Sequence, residues 1–206
     1  MPVKKDVTRQ SNRKAAKHKK SQTKVQVEIL SSKTAFQGPV FDVNSDRVKE
    51  PSGIVVRRDV VRHGGSVVIL AVDGESTDSR VLLECQYRYA AGKYLWELPA
   101  GSLDPDEQPL SGAKRELLEE TGYRANNWSR ALFFYPSPGF LDETMTIYIA
   151  RSLTPGPSCP EADEFITWKL TPLSQVLKMV QSGKIEDGKT IAGVLWLAES
   201  LRRSKP

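Results

Sequence analysis

The sequence predicts a mixed α/β sandwich with a small antiparallel β unit at its amino-terminal end. Segments with strand-like alternation outnumber helical segments, and the few helices interrupt them irregularly, unlike a doubly wound parallel sheet. The length of 206 residues fits one main domain with an appendage. Hydrophobic residues make up 39% of the chain, enough for a core. No run approaches about 20 apolar residues, so the sequence excludes a membrane span.

The predicted β unit covers residues 25–60. Val25, Val27 and Ile29 alternate with polar residues, which predicts a half-buried strand. Two further strands are predicted at 40–43 and 54–61, separated by turn-forming residues.

The remainder, residues 61–206, is predicted to form the main domain. Its strands are predicted at 66–72, 80–89, 94–98, 128–135, 144–151 and 165–170, and its helices at 109–121, 172–181 and 189–203. Residues 152–164 contain three prolines and no period, so they are predicted to form a loop.

Positive charge is concentrated in residues 1–24. This segment holds nine lysines and arginines and one aspartate, whereas the other residues carry 21 basic and 24 acidic side chains. It lacks large apolar side chains, which predicts a disordered basic tail. Non-specific contact with polyanions is one role for such a tail, and simple solvation is the other.

The two cysteines, Cys85 and Cys159, are too few for a disulfide framework or a CxxC metal site. They are predicted to be reduced thiols, which together with the lack of a secretory signal segment favours a cytoplasmic location.

The segment from Gly101 to Tyr123 contains the most informative helix. Pro109 near its start and Gly122 after its end are typical helix boundaries. Glu116, Glu119 and Glu120 are spaced by three and four residues, so they share one face. Their repulsion would be relieved by a divalent cation such as Mg²⁺, or Mn²⁺. An ordinary solvated acidic face is the alternative interpretation.

This segment resembles the Nudix box, G-x5-E-x7-R-E-U-x-E-E-x-G-U with U apolar, of the Nudix hydrolase family. The matching positions are Gly101, Glu107, Arg115, Glu116, Leu117, Glu119, Glu120, Gly122 and Tyr123. The last is a tyrosine rather than an aliphatic residue, which is a mild departure. A chance match of this length has odds on the order of 10⁻⁷, given about 6% usage per specified residue.

The resemblance implies a Nudix-like α/β/α sandwich that hydrolyses nucleoside diphosphates linked to another group. It implies that Glu116 and Glu120 are the central metal ligands and that Glu119 is a further ligand or orients water. The carbonyl of Ala100 would be a backbone ligand.

The remaining box positions would support this arrangement. By the resemblance, Glu107 supports the helix and its loop, and Arg115 orients the glutamates. The glycines Gly101 and Gly122 are the structural positions of the box.

Segments outside the box resemble the ADP-ribose pyrophosphatase branch. They are QYRYA at 86–90, ELPAG at 97–101, SPGFLDE at 137–143 and RRDVVRHGGSVVIL at 57–70, with GKIEDGKTIAGVLWL near the carboxyl end. Sugar-nucleotide pyrophosphatases share much of this pattern, so hydrolysis of another nucleotide sugar such as GDP-mannose stays open.

By that resemblance, the predicted substrate-binding residues are Arg57, Arg58, Arg88, Gly139 and Glu143. Arg88 would contact phosphates or a ribose, with a surface salt bridge as the alternative. Glu143 would hold the second ribose or assist metal binding, and Gly139 would let the backbone approach the substrate. Arg57 or Arg58 would reach the diphosphate across a dimer.

In this branch a catalytic acid lies on a loop after the sheet, here within residues 152–164. Glu161, Asp163 and Glu164 are candidates, with Glu161 favoured slightly over Glu164. The small β unit cannot bury its own face, and the resembled branch forms a homodimer through it.

The expected activity is Mg²⁺-dependent hydrolysis of ADP-ribose to AMP and ribose 5-phosphate. A non-catalytic regulator that binds ADP-ribose is an alternative from another class, although the complete set of box glutamates argues against it. RNA decapping assisted by the basic tail is a third, which the lack of aromatic residues in the tail disfavours.

Overall fold

A computed structural model describes residues 26–157 and 165–203. Its amino-terminal part is a three-stranded antiparallel sheet of β1 (Glu28–Gln37), β2 (Asp42–Lys49) and β3 (Val55–Arg62), in the order β1-β2-β3. The predicted small antiparallel unit is therefore confirmed. Its first strand was predicted to be half-buried, but every side chain of β1 is exposed because β1 is an edge strand that none of the described residues covers.

A mixed seven-stranded sheet forms the centre of the molecule. Its strands are β4 (Ser66–Asp73), β5 (Arg80–Arg88), β6 (Lys93–Glu97), β7 (Ala100–Ser102), β8 (Arg124–Phe134), β9 (Met145–Thr154) and β10 (Ile166–Pro172). The order is β10-β5-β4-β9-β8, with β6 paired to β5 and β7 to β4. The pair β4 and β9 is parallel and the other pairs are antiparallel.

Helices cover both faces of this sheet. They are α1 (Pro109–Thr121), α2 (Leu173–Gln181) and α3 (Gly188–Arg203). Alternate residues of β4 point to opposite faces, so Ile69 packs with Leu117 of α1, whereas Leu70 packs with Val194 of α3. The predicted α/β/α sandwich is confirmed.

The ends of α1 follow from its sequence. Pro109 occupies the first turn, where its missing N–H costs no helical hydrogen bond. Gly122 ends the helix in the left-handed region, with φ of 73°, and its N–H donates to the Leu118 carbonyl at 2.8 Å.

Two buried hydrogen bonds hold the segment between β6 and β7. The N–H of Leu98 donates to the hydroxyl of Thr190 on α3 at 2.8 Å, and that hydroxyl donates to Asp187 at 2.6 Å. The N–H of Ile69 on β4 donates to the Pro99 carbonyl at 2.8 Å. The backbone of Ala100 and Gly101 is thereby fixed between the central strand and α3.

Three strands of the seven-stranded sheet differ from the sequence-based predictions, and in the amino-terminal sheet β2 continues to Lys49 rather than ending at 43. β7 was not predicted, because three residues of mixed character carry no period. β8 begins at Arg124 rather than at 128, and β9 continues to Thr154, into the predicted loop. Both extensions are held by pairing of one strand with the other, which single-strand patterns do not show.

Several predictions concern residues outside the described ranges. They are the basic tail at 1–24 and the loop acids Glu161, Asp163 and Glu164. The division into domains at 24 and 60 also stays a prediction. None of the helices in the described part of the chain has the length and apolar character needed to span a membrane.

Candidate active site

Arg115 on α1 joins the charged residues of the predicted box. Its Nε and Nη2 donate to the two carboxylate oxygens of Glu107 at 3.1 and 2.9 Å. Its Nη1 donates to Glu116 at 2.7 Å and to Glu119 at 3.1 Å. Nη2 also donates to the Ser102 carbonyl at 3.1 Å, which ties the helix to β7. The planar guanidinium suits this role because its donors form a rigid fork.

The pairing with Arg115 fixes the charge of Glu107. Hydrogen bonds from the guanidinium lower the pKa of Glu107, and the N–H of Asp104 donates to the same carboxylate at 3.1 Å. The acidic partners in turn raise the pKa of Arg115. Glu107 therefore anchors both the helix and the loop that precedes it.

Gly101 gives the Glu116 carboxylate its space. A Cβ atom at position 101 would overlap the carboxylate of Glu116. The missing side chain thus lets Glu116 lie against the backbone that follows Ala100. Gly112 plays a comparable part for Glu107, since a Cβ there would lie 2.8 Å from Glu107 Oε2.

Glu120 is buried on the inner side of α1, with 3% of its surface exposed. Its carboxyl lies against that of Glu84 on β5, which is completely buried. Burial, followed by the nearby charge of Glu97, raises the pKa of Glu84. Glu84 and Glu97 lie directly opposite each other in the pairing of β5 with β6.

Glu97 is the best compensated of these carboxylates. Arg88 donates to both its oxygens at 2.9 Å, and Lys189 from α3 also contacts it. Burial alone would raise the pKa of Glu97, but Arg88 and Lys189 together lower it. The Lys189 side chain is 9% exposed and the Arg88 side chain 38%, so Arg88 retains an open surface.

A cavity of about 270 Å³ lies beside these residues. It is lined by His63, Ser66, Arg88, Ala100, Gly101, Ser102, Glu143, Met145 and Lys189. The lining therefore combines two cationic side chains with the backbone that precedes the box helix. Such a site suits an anionic ligand larger than a single ion.

Glu143 closes another side of the cavity. Its carboxylate accepts a hydrogen bond from the Ser66 hydroxyl at 2.5 Å and lies 3.8 Å from His63 Nδ1. His63 Nδ1 accepts the N–H of Gly65 at 3.0 Å, and the His63 N–H donates to Asp142 at 2.9 Å. His63 thus holds the chain beside the cavity.

The structure brings together only part of the predicted substrate-binding set. Arg88 and Glu143 line the cavity, as do Ala100 and Gly101. Arg57 instead pairs with Asp59 at 2.8 Å, and Arg58 pairs with Glu50 at 2.6 Å, both on the amino-terminal sheet.

Gly139 lies with Pro138 and Phe140 beside a different cavity, next to Val60 of β3. This segment attaches the amino-terminal sheet to the main domain. The N–H of Val61 donates to the Phe140 carbonyl at 2.8 Å, and Arg62 donates to Asp142 at 3.1 Å.

The oxygen-rich donor set fits a hard divalent cation. Carboxylates of Glu116 and Glu120 and the Ala100 carbonyl are the ligand types that Mg²⁺ and Mn²⁺ prefer, and Gly101 leaves room for Glu116 beside Ala100. Within residues 26–157 and 165–203, no three histidine, cysteine or acidic side chains already converge on one point. Arg115 draws Glu116 and Glu119 towards itself, so cation binding requires these side chains to rotate.

Sequence reasoning did not assign a role to three residues of this region. Lys189 comes from a helix 92 positions after Glu97, although it lies in the quoted GKIEDGKTIAG segment. Ser66 and Glu84 lie within apolar strands. Ser66 falls in the quoted segment at 57–70, which gave it no role, and no quoted motif includes Glu84. For Glu84, an acidic residue in the middle of an apolar strand was the available signal.

Comparisons with known proteins agree with this site. The model of the NUDIX domain family matches residues 62–193. The ADP-ribose pyrophosphatase of Mycobacterium tuberculosis is 38% identical over 173 residues, covering 82% of this chain and 81% of that protein. The ADP-ribose pyrophosphatase of Bacillus subtilis is 34% identical over 180 residues, covering 85% of this chain and 96% of that protein.

Among solved structures, the crystal structure of an ADP compounds hydrolase superposes with a TM-score of 0.75. It shares 20% sequence identity and covers 87% of this chain and 96% of that chain. At this identity the likeness concerns the fold.

The contact between Gly101 and Glu116 gives a first prediction. Replacing Gly101 with alanine should displace the Glu116 carboxylate and weaken Mn²⁺ binding by about tenfold or more. Calorimetric titration with Mn²⁺ measures this. The unfolding temperature should change little, because the displaced group is the end of a flexible side chain.

Gly188→Ala is the matched control, since its Cβ would enter open space. Wild-type Mn²⁺ affinity in Gly101→Ala would show that Glu116 does not bind the cation in this position.

Proposed function

Because the chain belongs to the Nudix hydrolase family and is a Nudix pyrophosphohydrolase, we propose that it hydrolyses ADP-ribose to AMP and ribose 5-phosphate with Mg²⁺. The cavity beside the box helix is the observation that carries this proposal. Arg88, Lys189 and the Ala100–Gly101 backbone all line it, and Gly101 lies against the Glu116 carboxylate of α1. A diphosphate placed there would meet cationic side chains close to the glutamates of α1.

Glu116, Glu120 and the Ala100 carbonyl would hold the cation, with Glu119 as a further ligand or as the residue that orients water. Mn²⁺ would be accepted by the same oxygen donors. A bound divalent cation neutralises phosphate charge, lowers the pKa of coordinated water and aligns the reacting groups.

Arg88 binds the diphosphate through the part of its guanidinium that Glu97 leaves open. Lys189 remains paired with Glu97 and so keeps this carboxylate, the partner of Arg88, in place. Glu143 binds a ribose hydroxyl, held by the hydroxyl of Ser66. Arg57, Arg58 and Gly139 contribute to substrate binding from outside the cavity, the arginines from a second subunit.

In the reaction, a water oxygen bonds to one phosphorus and the bond from that phosphorus to the bridging oxygen breaks. The bridging oxygen leaves with the other phosphate, which gives AMP and ribose 5-phosphate. The proton of the attacking water goes to a carboxylate. We propose Glu161 or Glu164 for this role, with the former favoured.

The relatives named ADP-ribose pyrophosphatases support ADP-ribose over other nucleotide sugars as the substrate. The box residues are complete, so a non-catalytic regulator is disfavoured. The basic tail at 1–24 would add non-specific contact with polyanions.

We also propose a homodimer formed through the amino-terminal sheet. All side chains of β1 are exposed, among them Ile29, Leu30 and Phe36. An edge strand with apolar side chains is a ready surface for pairing with a second copy. Such pairing would bury the face that the chain itself leaves open.

The proposed reaction is tested by product analysis with ADP-ribose, GDP-mannose, UDP-glucose and capped RNA. AMP should form mainly from ADP-ribose and only when a divalent cation is present. Glu120→Gln should lower kcat/KM by at least about 100-fold, the scale for losing one electrostatic stabiliser of the transition state.

Glu75→Gln is the matched control, because Glu75 is an exposed carboxylate in a turn far from α1 in the chain. Preferential cleavage of GDP-mannose would change the assigned substrate but leave the assigned type of reaction unchanged. Folded protein without cation-dependent turnover of any substrate would contradict the proposal.

The dimer is tested by sedimentation equilibrium of the full chain. The mass should be twice the chain mass of 23.0 kDa, and Ile29→Asp should shift it to the monomer, because Ile29 on β1 is 64% exposed. The control Leu195→Asp, at a 49% exposed leucine on α3, should stay dimeric. A monomeric wild-type protein at micromolar concentration would refute this arrangement.

A further inference from the structure

Glu84 is a buried acid for which the proposed reaction has no use. It has no exposed surface, and among the described residues no arginine, lysine or backbone N–H donates to either of its carboxyl oxygens. Leu82, two residues earlier on β5, belongs to the core under α1, so Glu84 points to the same layer as the box helix. Burying an ionised carboxylate without a nearby cation is unfavourable, so such a group needs either positive charge or a proton.

The cationic side chains near Glu84 are paired with Glu97 instead. Arg88 donates to both oxygens of Glu97, and Lys189 also contacts Glu97. They reach Glu84 only through longer-range attraction. On its other side, Glu84 lies opposite Trp168 of β10, which offers no cation.

The nearest group on α1 is the carboxyl of Glu120. Two acidic groups in contact in a buried region share a proton unless positive charge lies close by. The proposed cation would supply that positive charge, because Glu120 is one of its two central ligands. An apolar residue would suit the strand position of Glu84 better unless that cation were bound.

We propose that Glu84 is a positioning residue of the divalent cation site, acting through Glu120. Its carboxyl holds Glu120 in the ligating position, so that Glu84 sets the affinity for the cation. This inference rests on the proposed function.

The test measures Mn²⁺ binding to the full chain by electron paramagnetic resonance of free Mn²⁺. A second measurement is thermal unfolding with and without Mn²⁺. Glu84→Gln should weaken Mn²⁺ binding by about tenfold. The increase in unfolding temperature on adding Mn²⁺ should be smaller than in the wild type.

Two further variants make the test specific. Asp46→Asn changes another buried carboxyl with one unpartnered oxygen, in the amino-terminal sheet, and should keep wild-type Mn²⁺ affinity. Glu84→Leu fills the same strand position with an apolar side chain and should weaken Mn²⁺ binding as well, which keeps the test valid if the glutamine variant does not fold.

Wild-type or tighter Mn²⁺ affinity in both Glu84 variants would overturn the inference. If Glu116→Gln loses Mn²⁺ binding while the Glu84 variants keep it, the proposed function stands and only the role of Glu84 fails. A wild-type protein that binds no Mn²⁺ would overturn both.

Discussion

A carboxylate that leaves water must meet positive charge or a proton, and this constraint arranges the centre of the molecule. Glu97 meets Arg88 and Lys189, and Glu107 meets Arg115. Arg115 also reaches Glu116 and Glu119, so one guanidinium organises three acidic residues on the helix and its loop. These acids carry more negative charge than their arginine and lysine partners compensate, and that excess is what makes the region suited to a divalent cation.

The fold brings these charges together from both faces of the sheet. α1 carries the box glutamates on one face of the sheet. α3 carries Lys189 on the other face, next to the ends of β5 and β6. The hydroxyl of Thr190, one residue after Lys189, accepts the N–H of Leu98 and so fixes the backbone that leads to Ala100. Packing of α3 and the geometry of the site therefore depend on the same short segment.

The sequence was most informative where local spacing determines geometry. The i,i+4 relation of Arg115 to Glu119 follows from the helix alone, and the box motif predicted that Glu107 and Gly101 support it. Lys189 could not be assigned to Glu97 because its contact depends on how α3 packs, far away in the chain. Likewise, the exposure of β1 depends on its place at the edge of the three-stranded sheet, which the alternation of Val25, Val27 and Ile29 does not reveal. Motifs therefore identified the chemistry, whereas tertiary packing determined which other charges join it.

The central claim is that Arg115 organises the glutamates for hydrolysis of a pyrophosphate bond. The most direct measurement is kcat/KM for ADP-ribose with Arg115→Lys, which keeps the charge and loses the forked hydrogen bonds to Glu107 and Glu116. We expect kcat/KM to fall by about tenfold or more. Both proteins are measured at saturating divalent cation, so that weaker cation binding does not contribute to the difference. Wild-type kcat/KM in this variant, under the same saturating conditions, would contradict the claim.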